Sequence, residues 1–168
     1  DHIGGLSSLL TAGAQPRVVL LRSFSQSYQS QLASQVPVLE ANPDLDLGSR
    51  IHSTGEIPGS PPEQALVLDT TRGLIVITGC AHPGVDRMVL EAKRLYKENI
   101  YLVIGGFHLG SASPDQIRAI IKEFERLGVE FVVPCHCTGS TAKRMFREAY
   151  GDHFLEGGAG FQFVIENQ

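Results

Sequence analysis

From residue 64 onward, apolar and polar positions follow two clear periods. Residues 64–69 and 73–78 are short apolar runs separated by Thr70-Thr71-Arg72, a pattern that predicts a β-hairpin. A unit then recurs three times, in which an apolar strand ends, a histidine follows at once and a helix comes next. In the first unit, strand 74–78 runs into Gly79-Cys80-Ala81-His82-Pro83-Gly84. A helix over 85–98 follows, with Val85, Met88, Val89, Ala92 and Leu95 at helical spacing on one face. In the second, strand 100–104 leads to Gly105-Gly106-Phe107-His108-Leu109. Its helix opens on Ser113-Pro114-Asp115-Gln116, an N-cap with proline at the first position. Ile117, Ile120, Ile121, Phe124 and Leu127 form the apolar stripe of that helix, and Gly128 stops it. In the third, strand 129–133 meets Pro134-Cys135-His136-Cys137-Thr138-Gly139, and a helix covers 140–150. Residues 161–165 predict a closing strand.

Upstream the pattern is weaker. Past Asp1-His2-Ile3-Gly4-Gly5-Leu6, residues 7–11 read as a short helix ending near Gly13, and 17–21 as a strand. Residues 23–62 are dominated by Ser, Gln, Pro and Gly, and only 36–39 and 50–52 read as brief strands. Such a stretch is either an ordinary surface loop or an irregular insert that borders a site and partly covers it. The 168 residues suit a single domain over 1–168.

The repeated histidines carry the chemistry. In sheets flanked by helices, ligands gather where strands end and loops begin. Neighbouring strands lie about 5 Å apart, so groups at their ends can meet. His82, His108 and His136 occupy equivalent points, and a neutral imidazole is the commonest metal-binding side chain. One such histidine is more often satisfied by a backbone carbonyl; three in register point to a metal site. Gly79, Gly105 and Gly106 permit either close backbone approach or simple chain reversal. Cys80, Cys135 and Cys137 can act as soft ligands, but a thiol at a strand end is more often a small buried hydrophobe, and that reading is preferred for all three. His52 and His153 are expected to be solvated or structural.

Composition narrows the classes. A formal charge of −4 without a basic stripe argues against nucleic acid as partner. It leaves room for a small, anionic substrate, because a bound metal brings its own positive charge. No run approaches the roughly 18 apolar residues of a membrane span. Three cysteines at these spacings are not a disulfide framework, and free thiols suggest the cytoplasm.

These motifs, taken in order, resemble the metallo-β-lactamase superfamily of metal-dependent hydrolases. Asp1-His2-Ile3-Gly4-Gly5-Leu6 looks like the end of its H-x-H-x-D-H motif, and the loops around His82 and His136 look like later motifs. Thr54-Gly55-Glu56-Ile57-Pro58 and the loop around His108 resemble a branch related to the dihydropterin-ribofuranosylaminobenzene phosphate synthases. The resemblance implies an α/β fold, an αββα sandwich of two mixed sheets, here lacking its N-terminal part. It implies one or two divalent ions, Zn2+ first and Mn2+ or Fe2+ as alternatives. Asp1, His2 and His136 match one metal position and His82 the other, and Asp1 also orients the attacking water. His108 stands near where many relatives have a bridging aspartate, so it is a ligand or a group that touches substrate. The implied activity is hydrolysis of an ester, phosphoester, lactone or amide through a metal-activated water. The alternatives are a transferase acting on a pterin precursor and a non-catalytic metal-binding fragment. With the first two histidines of that motif not in the chain, the chain alone is expected to be a poor hydrolase.

Overall fold

The computed structural model describes residues 3–45 and 47–165. The chain forms two compact units, Asp1–Ala41 and Asn42–Gln168. In the first, α1 (Leu6–Thr11), β1 (Val18–Leu20), α2 (Gln26–Ala33) and β2 (Val38–Glu40) follow in order, and β1 pairs with β2 in parallel. Leu20, Leu32 and Val36 form its buried centre, with Leu6, Leu10, Phe24 and Tyr28 packed against them. Helix α2 lies inside the stretch expected to be irregular. Its sequence is mostly Gln and Ser, so the apolar period reduces to the i, i+4 pair Tyr28 and Leu32. The local start signal is nonetheless present: the Ser25 hydroxyl accepts from the Tyr28 amide.

The second unit carries β3 (Ile51–Ser53), β4 (Leu66–Thr70), β5 (Gly73–Thr78), α3 (Val85–Tyr96), β6 (Ile100–Gly106), α4 (Pro114–Leu127), β7 (Phe131–Cys135) and α5 (Ser140–Tyr150). Its sheet has the order β3-β4-β5-β6-β7. The first two pairings are antiparallel, including the expected hairpin, and the last two are parallel. Parallel neighbours need a crossover, and α3 and α4 supply them. Val67, Leu74, Val76, Ile100, Val103 and Val132 face the same core as the buried stripes of α3, α4 and α5, so these three helices cover one face. The register between β5 and β6 slips at Tyr101, which opposes no single partner. The slip turns both Tyr101 and Leu102 towards the other face, where they meet Ile75 and Val133.

Residues 161–165 form no strand among the described residues. Phe161, Phe163 and Ile165 instead pack on the Ile75, Tyr101, Leu102 and Val133 group. Their alternation reports extended chain lying on an apolar face, which does not require a ladder of hydrogen bonds. The start of α4 is as expected: Ser113 and Gln116 exchange side-chain and backbone bonds in a full capping box, and Gly128 ends the helix in the left-handed region. Ser113→Ala is expected to lower stability by about 1 kcal/mol, read as a shift of the urea midpoint at unchanged slope.

Candidate metal centre

Strands β5, β6 and β7 end side by side, with Thr78 opposite Gly105 and Gly106 opposite Cys135. Two buried threonines tie the loops that follow. Thr78 Oγ1 donates to the Gly106 carbonyl at 2.9 Å. Thr138 Oγ1 donates to the Cys135 carbonyl at 2.6 Å and accepts from the Phe107 amide at 3.2 Å. Only glycine fits at 105 and 106. A Cβ on Gly105, whose φ is +133°, would stand 2.2 Å from the Thr78 carbonyl oxygen. One on Gly106 would stand 2.4 Å from the Gly79 carbonyl oxygen and 2.8 Å from Cys137 Sγ. The backbone is also twisted here. Among the described residues, three of the five non-glycine positions with left-handed φ are Ala81, His108 and His136, all in these loops. Such conformations persist only where surrounding structure holds them, and they concentrate at functional sites.

The loops bring donors together around one thiol. Ligand atoms of Cys80, His82 and His108 lie within 4.8 Å of one another, as do those of Cys80, His136 and Cys137. Cys80 Sγ is 3.2 Å from His136 Nε2, and the His82 and His108 rings are 4.2 Å apart. The three strand-end histidines therefore converge on Cys80. Asp1 and His2 lie outside the described residues. Of the stretch 23–62, Gly59 lies against Pro83, next to His82. His52 stacks on Tyr96, and His153 stacks on Phe131 and bonds the Glu130 carbonyl, both structural roles.

Glu63 is the residue the sequence reading missed. It is held by a bridge between Glu63 and Ile57, and its carboxylate accepts from the Ala81 and His82 amides at 2.9 Å each. The same carboxylate pairs with His82 Nδ1. Since a carboxylate only accepts, Nδ1 carries a proton, and in the neutral ring Nε2 is then the nitrogen with a lone pair for a metal. Burial alone would raise the Glu63 pKa, but the bonds from His82 and Ala81 outweigh it and hold the carboxyl below its ordinary range. Nothing local marks Glu63, because its link to His82 is tertiary. Cys80 and Cys137 stand beside the histidines, where a thiol is expected to be a small buried hydrophobe; Cys80 is buried, and it faces an imidazole and a second thiol. Burial first, then Cys137 and Glu63, push the Cys80 thiol up to about 11.

The donor set fits a divalent ion that favours nitrogen and sulfur. With Zn–S near 2.3 Å and Zn–N near 2.0–2.1 Å, two ligands of one zinc stand roughly 3–4 Å apart. The 3.2 Å between Cys80 Sγ and His136 Nε2 already satisfies this. His108 also forms part of the wall of an open cleft of about 450 Å³, together with Asp86, Ser111 and Gln116 and the apolar Leu109, Ala112, Ala119 and Ile120.

The fold of the chain is that of the β-lactamase superfamily of metal-dependent hydrolases, and the His and Cys groups that could hold a metal gather at its adjacent strand ends. It matches the crystal structure of Tm1679, a metal-dependent hydrolase of that superfamily, with a TM-score of 0.77 and 28% identity, over 92% of this chain and 73% of that one. In sequence it is 41% identical over 93 residues to the 7,8-dihydropterin-6-methyl-4-(β-D-ribofuranosyl)-aminobenzene-5'-phosphate synthase of Methanocaldococcus jannaschii, covering 55% of this chain and 32% of the synthase. It is 38% identical over 68 residues to the uncharacterized protein MJ0448 of the same organism, covering 40% of this chain and 25% of that protein. The chain thus spans 32% and 25% of these two curated relatives. No family model matches it. No helix among the described residues is long and apolar enough to cross a membrane.

Proposed function

We propose that the protein carrying this chain is a metal-dependent hydrolase with one or two divalent ions at the ends of β5, β6 and β7, His82 and His108 serving one position and His136 the adjacent one. The observation behind this reading is the convergence of three strand-end loops, two with a left-handed histidine, on one buried thiol. A divalent ion there, Zn2+ by its donors, supplies the Lewis acidity that polarises a scissile group and activates water. The chain's own residues do the rest. Glu63 fixes the tautomer and orientation of His82. His108 belongs both to the donor group and to the cleft wall, so a substrate in the cleft lies beside the ion. The cleft mixes carboxylate, hydroxyl and amide with an apolar side, which suits a small substrate with one polar end. Esters, phosphoesters, lactones and amides are the substrate classes, and Asp1 and His2 are further ligands on this reading. The cysteines, none of them in a disulfide, fit a reducing compartment such as the cytoplasm.

The match to a synthase, 41% identical over 93 residues, supports a second reading, group transfer onto a pterin precursor. One experiment separates these readings. The purified whole protein that carries this chain is analysed for metal per chain and then offered phosphodiester and lactone substrates, with products resolved chromatographically. We expect bound zinc, lost in the double variant His82→Ala/His136→Ala, and hydrolysed product. Metal with a joined product supports transfer, metal without turnover supports a non-catalytic metal-binding role, and protein that takes up no divalent ion ends the metal-centre reading.

A further inference from the structure

We infer that Cys80 and Cys137 are metal ligands, and that Cys80, His136 and Cys137 form a thiolate-rich position for a borderline divalent ion such as zinc. This rests on the reading of the strand ends as a metal centre, and it extends the ligand set beyond the histidines. The ligand atoms of these three residues all lie within 4.8 Å of one another. Cys80 also belongs to the group with His82 and His108, so among the described residues it is the donor common to two adjacent positions.

The surrounding backbone is shaped to admit two sulfurs. Cys137 Sγ approaches the Cys80 carbonyl at 3.5 Å. The space both cysteines use exists because residue 106 is glycine: a Cβ there would stand 2.8 Å from Cys137 Sγ and 3.1 Å from Cys80 Cα. His136 and Cys137 follow β7 in a single 3-10 turn, His136–Thr138, and His136 enters it with φ +48°. Thr138, fully buried, bolts that turn to the β6 loop through the Phe107 amide. A cysteine kept only as a small hydrophobe would be packed among aliphatic side chains. Here one thiol is set against an imidazole nitrogen and the other is half-buried beside it. On binding, each S–H gives its proton to solvent as the sulfur–metal bond forms. Thiolate donors favour zinc and cobalt, whereas manganese and magnesium prefer oxygen. The cysteines therefore strengthen a preference for zinc over manganese that the histidines share.

Cobalt(II) tests this directly, because thiolate ligation gives a sulfur-to-cobalt charge-transfer band in the near ultraviolet that imidazole ligation does not. Protein titrated with Co2+ is expected to show the band, and zinc, but not manganese, is expected to abolish it. Cys137→Ser should lose part of the band and Cys80→Ser/Cys137→Ser all of it. Cys135→Ser, whose thiol belongs to neither donor group, should keep it. Melting curves of the metal-free variants identify any that fail to fold, and the half-buried Cys137→Ser then carries the comparison. Cobalt bound in stoichiometric amount without the band, or a band unchanged in the double variant, overturns the inference and leaves the histidine centre standing. Failure of cobalt to bind at all removes both.

Discussion

Replacing Phe107 with alanine is expected to destabilise the second unit by about 3–5 kcal/mol, the range for deleting a fully buried phenylalanine. Phe107 is 1% exposed. Its ring meets Phe124 at 5.7 Å and Phe146 at 5.3 Å, and those two meet each other at 5.6 Å, all edge to face. Each such pair adds about 0.5–1.5 kcal/mol beyond buried area. The three rings come from the β6 loop, α4 and α5, so one deletion loosens the seam between two helices and the sheet. It also frees the residue after it. His108 keeps its left-handed backbone because Phe107 is anchored by its ring and by its amide on Thr138. Urea denaturation measures the first effect and zinc affinity the second. Phe107→Leu should recover most of the stability. A midpoint for Phe107→Ala within the equivalent of 1 kcal/mol of the parent would show that the aromatic cluster is not what holds this loop.

Glu63→Gln should weaken zinc binding about 10- to 100-fold, the usual loss when the partner behind a ligating histidine is changed. The amide is nearly the shape of the carboxylate, yet it carries no charge and offers a single acceptor atom. It cannot take the Ala81 amide, the His82 amide and His82 Nδ1 as the carboxylate does. Competition titration with a chromophoric chelator gives the affinity. An unchanged value would mean that His82 is positioned by its backbone alone. The metal-free protein adds a pH signature. The folded pKa of Glu63 is lowered, so its stabilising contribution is complete above the unfolded-state value and is lost as pH falls through the folded one. Glu63→Gln should flatten that acid limb.

Much of the second unit was legible because its signals are local and repeated. Helices α3, α4 and α5 each show an apolar stripe, and α4 carries its own cap and stop. The three histidines declared themselves by recurring at the same point of the same unit, a pattern that survives ignorance of every tertiary contact. What escaped was of two kinds. Helix α2 hid because Gln and Ser give no apolar contrast. Glu63 hid because its meaning lies in a neighbour at a distance of 18 and 19 residues along the chain. Cys80 and Cys137 are an intermediate case: their positions were plain, but the choice between a packing thiol and a donor thiol depends on what faces the sulfur. The segment 161–165 shows the reverse error, since its period of two was right and the ladder inferred from it was not.

The parallel pairing of β5, β6 and β7 also fixes what kind of change the site tolerates. The spacing of the strand ends is inherited from the backbone ladder, at about 5 Å per strand, and the loops are fastened by Thr78, Thr138 and the glycines at 105 and 106, not by the donor side chains. Donor identity and site size are therefore separate variables. A histidine can give way to a cysteine or a carboxylate on one loop while the other two keep their places, and the pitch of the socket stays the same. On the reading of the strand ends as a metal centre, such a scaffold would admit a change of donor one residue at a time.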